Sequence, residues 1–175
     1  MQKNKIIFIL IVLIVVITLS CLLFNKLQKE EPTIDTSMFN VVTTKDVLRM
    51  MNNNETKMIV IGSKTCSATQ EFVSSMQISQ AKGNYIINYL ELKDEDRNSS
   101  SYKEFLTKLE VPFNGVTEDG KEHTIKEYMG VTPMILIIKN KKVVYGNVGL
   151  MLSDSLTQIA YTYGVSQWKE LVEEP

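Results

Sequence analysis

Met58-Ile59-Val60-Ile61-Gly62-Ser63-Lys64-Thr65-Cys66-Ser67-Ala68-Thr69-Gln70-Glu71-Phe72 holds the clearest strand signal in the chain and its one cysteine outside the N-terminal region. Four apolar residues bounded by Gly62 and Ser63 predict a short buried strand ending in a turn. Cys66 follows the turn and opens an amphipathic helix whose apolar stripe is Phe72, Val73 and Met76, with Gly83 as the expected C-cap. A sulfur at a helix start lies near free backbone N–H groups and the positive end of the helix dipole. Both favour thiolate over thiol and make the cysteine more reactive.

Strand, short polar turn and helix-opening cysteine resemble the thioredoxin superfamily, whose tetrad at this place is Cys-x-x-Cys. Here it reads Cys66-Ser67-Ala68-Thr69, so Thr69 stands where the second cysteine would be. A second landmark is Tyr128-Met129-Gly130-Val131-Thr132-Pro133, followed by the apolar run Met134 to Ile138. It is similar to the lead-in to the third core strand of the same superfamily. The resemblance implies that Pro133 is a cis-proline lying against Cys66, and that Thr132 offers backbone groups to a substrate chain. It spans roughly Thr43 to Tyr163 and implies an α/β thioredoxin-like fold, a central mixed β-sheet flanked by helices; ahead of it the residues themselves predict one N-terminal transmembrane helix.

That helix is expected from the 19 uncharged residues Ile6 to Phe24. As a helix they would be about 28 Å long, close to the hydrocarbon thickness of a bilayer. A spanning anchor is the leading reading, with a cleaved signal peptide or a lipoprotein signal around Leu19-Ser20-Cys21 as the others. All three place the domain on the extracytoplasmic side of a cell membrane. The expected organisation is a cytoplasmic tail at 1–5, anchor at 6–24, linker at 25–42, thioredoxin-like domain at 43–164 and tail at 165–175. Beyond residue 30 the chain carries 15 basic and 19 acidic side chains, which gives no basic footprint for nucleic acid. One cysteine in that part excludes an internal structural disulfide.

Elsewhere the chain reads as a regular alternation. Thr43 caps a helix with Asp46 in its first turn, and Asn52-Asn53-Asn54 stops it. Tyr85 to Leu92 predicts a strand, Asp94 to Arg97 a solvated loop, Ser101 to Leu109 a helix and Val111 to Lys121 a loop. Met134 to Ile138 and Val143 to Gly146, joined by a polar turn, predict a β-hairpin. Asp154 is expected to cap a last helix ending at Gly164, with Trp168, Leu171 and Val172 in a short terminal turn. His123, the single histidine, has no Cys or His to share a metal and reads as a surface residue. No cofactor motif, phosphate loop or Ser-His-Asp set can be assembled.

Dithiol exchange needs a second thiol to resolve the mixed disulfide, and Thr69 cannot act as one. Two further departures from the thioredoxin pattern are Val60, where many members keep a buried acid, and Thr65, where they have Trp. What remains suits one-step chemistry: Cys66 as nucleophile, Thr69 as hydrogen-bond donor to its thiolate, Lys64 as a nearby positive charge, and Thr132 with Pro133 as the partner-facing wall. Monothiol members of the superfamily work in this way, trapping an extracytoplasmic cysteine-containing protein until an external thiol releases it. A looser echo, Ser63-x-x-Cys66, matches peroxiredoxins but lacks their proline. The alternative is a redox-silent thioredoxin-fold binding protein. In size, single apolar segment and sparse cysteines the chain is similar to accessory proteins of bacteriocin export in Gram-positive bacteria.

Overall fold

The computed structural model describes residues 16–18, 20, 34–117 and 119–165. They fall in two separate units, Met1–Thr33 and Ile34 onward. In the first, Val16, Ile17, Thr18 and Ser20 are helical, and most of the expected anchor lies outside the described residues. Among the described residues no helix is long and apolar enough to cross a membrane.

In the second unit the apolar run becomes β2 (Lys57–Gly62), hydrogen-bonded on both edges. It pairs parallel with β3 (Ile87–Glu91) and antiparallel with β4 (Met134–Lys139). The short β1 (Asn40–Val42) and β5 (Lys142–Val148) complete the five-stranded mixed sheet, in the order β1-β3-β2-β4-β5. Side chains alternate across a strand, so β2 serves two cores. Ile59 and Ile61 pack with Val47, Met51, Phe105 and Leu109 on one face. Met58 and Val60 pack with Phe72, Met76, Leu156 and Ala160 on the other. All four β2 side chains are at most 1% exposed, and each buried aliphatic chain contributes about 1.5–3 kcal/mol.

Helices α1 (Thr44–Met50) and α3 (Ser100–Lys108) cover the first face, while α2 (Ser67–Gly83) and α4 (Ser153–Tyr163) cover the second. This is the thioredoxin-like architecture. Thr43 caps α1 as expected: its hydroxyl accepts from the Asp46 amide at 3.2 Å, and the Asp46 carboxylate accepts from the Thr43 amide at 3.1 Å. The hairpin turns on Asn140 and Lys141, both at positive φ (51° and 66°), the two-residue turn that matches strand twist.

Five expectations need correction. Residues 25–42 were expected as linker, yet Asn40–Val42 form β1, with Asn40 Nδ2 donating to Asn88 Oδ1 at 2.7 Å. The domain therefore begins before Thr43, and Phe39 and Val42 are already buried. Gly83 is the last residue of α2, and the left-handed cap is Asn84 at φ 48°; a Cβ at 83 would collide with the Tyr85 ring, which is the reason for glycine there. Leu92 starts a 3-10 turn (Leu92–Asp94) instead of ending β3. Asp154 lies inside the first turn of α4, whose N-cap is Leu152, and its carboxylate meets Lys82 at 2.8 Å. Val165, expected in the tail, is buried; Trp168, Leu171 and Val172 lie outside the described residues.

Gly62 ends β2 where two groups close in. A Cβ there would stand 2.6 Å from the Tyr89 hydroxyl oxygen and 2.7 Å from Thr69 Cγ2. Gly62→Ala is expected to cost about 1–3 kcal/mol, as overpacking does. The measurement is a lowered urea midpoint at unchanged m-value; an unchanged midpoint would show that this corner is not tightly packed.

Candidate functional site: a single thiol facing a cis-proline

The chain leaves β2 at Gly62 and turns through Ser63, Lys64 and Thr65. The turn is closed by the Cys66 amide donating to the Ser63 carbonyl at 2.9 Å, and by Gln70 Nε2 donating to the Lys64 carbonyl at 2.7 Å. Cys66 is the N-cap of α2, with extended backbone (φ −89°, ψ 119°) and no capping bond from its side chain. Its thiol is free and half-buried. From the far side of the sheet comes Thr132, joined to Pro133 by a cis peptide bond. Cys66 Sγ lies 3.3 Å from the Thr132 carbonyl oxygen, to which the thiol donates. The two landmarks of the sequence, 66 residues apart, meet at this contact.

The polar groups around the sulfur hold the Cys66 thiol below its ordinary range. The Thr132 side chain does most, aided by the Thr69 amide, the Thr69 hydroxyl and the Ala68 amide, while burial opposes them. The Thr132 carbonyl can accept only from the protonated thiol, so that contact also works against ionisation. Thr69 is fully buried, and its hydroxyl accepts from the Ser63 amide at 3.3 Å. The hydroxyl proton remains to face the sulfur.

Lys64 is placed differently from the expectation. Its ammonium lies 3.7 Å from Asp94, its amide donates to Glu91 at 2.8 Å, and it is not among the groups that lower the Cys66 pKa. Val60 is fully buried within the sheet, so no acid stands beneath the thiol there. Two residues that the sequence reading passed over take part instead. The Tyr89 hydroxyl donates to Glu91 Oε2 at 3.0 Å, and the same oxygen receives the Lys64 amide. Burial, then the Glu91 charge, push the Tyr89 hydroxyl pKa upward. Their signal was available: Tyr89 and Glu91 are two apart in one strand, hence on one face, at its C-terminal end.

A groove of about 390 Å³ opens beside Cys66, bordered by Ser63, Thr65, Leu92, Lys93, Arg97 and Thr132. A larger one, about 700 Å³, runs between α1 and α3 and contains no part of the thiol site. His123, expected as an isolated surface residue, is held between two carboxylates, Asp119 at 2.9 Å and Glu127 at 2.7 Å. Glu127 first, then Asp119, raise its pKa, and Glu127 is itself lowered to about 2.

Two outcomes follow from these shifts. Alkylation of Cys66 should show an apparent pKa below the free-thiol value of about 8.5, and Thr132→Val should move it upward; a midpoint at or above the free value contradicts the assignment. For His123, a raised folded pKa contributes stability that is complete below about pH 6.5 and disappears as pH rises through the folded value. His123→Ala should therefore lower the denaturation midpoint at pH 5.5 and have less effect at pH 8.5. An equal loss at both would assign the residue a packing role only.

No family model matches the sequence, and no curated protein matches it. In backbone the chain is similar to thioredoxin from Aeropyrum pernix, at 13% identity over 69% of this chain and 83% of that one, with a TM-score of 0.47. It is also similar to Fasciola hepatica thioredoxin, at 11% identity over 71% and 99%, with a TM-score of 0.48. A third similar chain comes from the structural work on thiol resolution in yeast mitochondrial 1-Cys peroxiredoxin via glutathione/thioredoxin systems, at 10% identity over 73% and 95%, with a TM-score of 0.45.

Proposed function

We propose that this chain is a membrane-anchored, extracytoplasmic thioredoxin-like protein that exchanges disulfides through one thiol with secreted or envelope proteins. The observation that carries the reading is the placement of Cys66 Sγ: at the start of α2, partly open to solvent, and 3.3 Å from the carbonyl before cis-Pro133. The uncharged run from Ile6 to Phe24 supports the tether.

In this reading the Cys66 thiolate attacks one sulfur of a partner disulfide. The new sulfur–sulfur bond forms as the old one breaks, and the departing thiolate takes the electron pair. Thr69 donates its hydroxyl proton to the Cys66 sulfur as a hydrogen bond and stays bonded to the Ser63 amide. The Thr132 backbone, beside the sulfur, is where a partner chain would pair. Cys66 is the one cysteine among the described residues, so in this reading an external thiolate attacks the partner's sulfur and returns Cys66 as thiolate.

A second reading, a redox-silent accessory protein in secretion of the bacteriocin type, is favoured by one observation. Thr69 is fully buried and bonded into the Ser63 turn, so the position fits as structure without any thiol chemistry.

Purification from cells under acid-quenched, alkylating conditions should yield disulfide-linked partners that are absent from Cys66→Ser and are released by glutathione. Thr69→Cys should gain insulin-reducing activity, and protease added to intact protoplasts should digest the domain. If Cys66→Ser leaves partners and phenotype unchanged, the accessory reading holds instead.

A further inference from the structure

We propose that Glu91 is the positioning residue of the thiol turn: its carboxylate holds Lys64 to the end of β3 and so keeps the Cys66 sulfur in place. The inference rests on the reading of Cys66 as an exchanging thiol and assigns the group that sets its geometry.

Gly62 and Glu91 are the last paired residues of the β2–β3 ladder. Beyond Gly62 the chain leading to Cys66 has left the sheet, so its backbone needs other partners. Three bonds come from the turn itself or from α2. The Cys66 amide donates to the Ser63 carbonyl at 2.9 Å, Gln70 Nε2 to the Lys64 carbonyl at 2.7 Å, and the Ser63 amide to the Thr69 hydroxyl at 3.3 Å. Those three would travel with the helix start if it moved. The Lys64 amide instead donates at 2.8 Å to Glu91 Oε2, on a different strand. The Lys64 ammonium also reaches this segment, 3.7 Å from Asp94, but the Asp94 side chain is 66% exposed and such a pair adds little.

Glu91 is itself held. Its Oε2 also accepts from the Tyr89 hydroxyl at 3.0 Å, and Oε1 accepts from the Lys93 amide at 3.2 Å. Tyr89 is 1% exposed, and its hydroxyl lies so close to Gly62 that a Cβ there would meet it at 2.6 Å. Hydrogen bonds to a carboxylate are the stronger kind, and a buried ring fixes this one. Glu91 is not among the groups that act on the sulfur directly, whereas Thr132, Thr69 and Ala68 are. Its influence on Cys66 is therefore one of placement. A turn released from Glu91 lets the sulfur leave the Thr69 and Ala68 amides, and the thiolate loses the donors that favour it.

Reach and charge are separable by substitution. Glu91→Asp keeps the charge and is one methylene short of the Lys64 amide. Glu91→Gln loses the charge and keeps an acceptor oxygen at the same reach. The test uses the full chain in neutral detergent, with Cys21→Ser so that Cys66 is the one thiol. Alkylation by uncharged iodoacetamide is followed against pH, and the urea midpoint is taken for each variant. In Glu91→Asp the ionisation midpoint of Cys66 should rise, and reactivity at pH 6 should fall about threefold to tenfold. Glu91→Gln should follow wild type. A role of charge alone predicts the reverse, the Glu91→Gln profile moving to lower pH and Glu91→Asp staying in place, and that result overturns the proposal. So does a lowered urea midpoint in Glu91→Asp with an unmoved pH profile, because packing alone accounts for it. Should Glu91→Asp not fold, Tyr89→Phe removes one bond from the carboxylate and keeps the ring. Its profile should shift the same way as expected of Glu91→Asp, and an unmoved one overturns the proposal. The exchange reading fails separately, if wild-type Cys66 reacts with bis(2-hydroxyethyl) disulfide no faster than free cysteine at equal thiolate fraction; the alkylation profiles still decide the role of Glu91.

Discussion

The burial of β2 on both faces and along both edges is the constraint from which the rest of the structure follows. A strand with no exposed side needs a layer of helices above and below, and neighbours that satisfy its backbone on the left and right. Parallel β3 and antiparallel β4 supply the edges. Helices α1 with α3, and α2 with α4, supply the faces. Because β2 is central, its C-terminal end is where the turn to α2 and the approach to β4 come together. Cys66 and Thr132 are neighbours because both flank the same end of the sheet, at Gly62 and Met134 of adjacent strands.

At that end the chain makes a thiol site of unusual economy. One sulfur is held by two threonines: Thr132 from the β4 side and Thr69 from within α2. Thr69 also receives the Ser63 amide, so the residue in place of a second sulfur secures the turn that carries the first. Beneath them Glu91 collects the Lys64 amide and the Tyr89 hydroxyl, and fixes the far side of the same turn.

Much of this was legible in the chain itself. The run Met58 to Ile61 is apolar on successive residues, as a doubly buried strand requires, and Gly62 with Ser63 bounds it at strand length. Thr43 with Asp46 announced α1 through a local bond that needs no tertiary context. What escaped depended on distant groups. β1 was hidden because Val42 is its only buried residue, so a three-residue edge strand looks like a polar tether. Gly83 reads as a cap in sequence, but its lack of a side chain is needed by Tyr85. Lys64 precedes the cysteine by two positions, yet Asp94, 30 residues on, takes its ammonium. The His123 partners are four residues to either side, a spacing that is informative only once the loop is known to fold back on itself.

Asn88 carries a further consequence for how the strands find one another. Its side-chain amide, 2% exposed, donates to the Met58 carbonyl at 3.0 Å and accepts from Asn40 at 2.7 Å, so one amide touches β1, β2 and β3. In a chain of near-uniform aliphatic strands, a pairing shifted by one residue would still bury oily side chains on both faces and would be hard to reject on that ground. Such a slip turns the Asn88 amide toward the opposite core, that of Phe72 and Met76, and breaks both of its present bonds. An orphaned buried amide costs about 1–3 kcal/mol, enough to make the wrong alignment a minority species by tenfold or so. Asn88 thereby acts as a proofreading residue for the sheet.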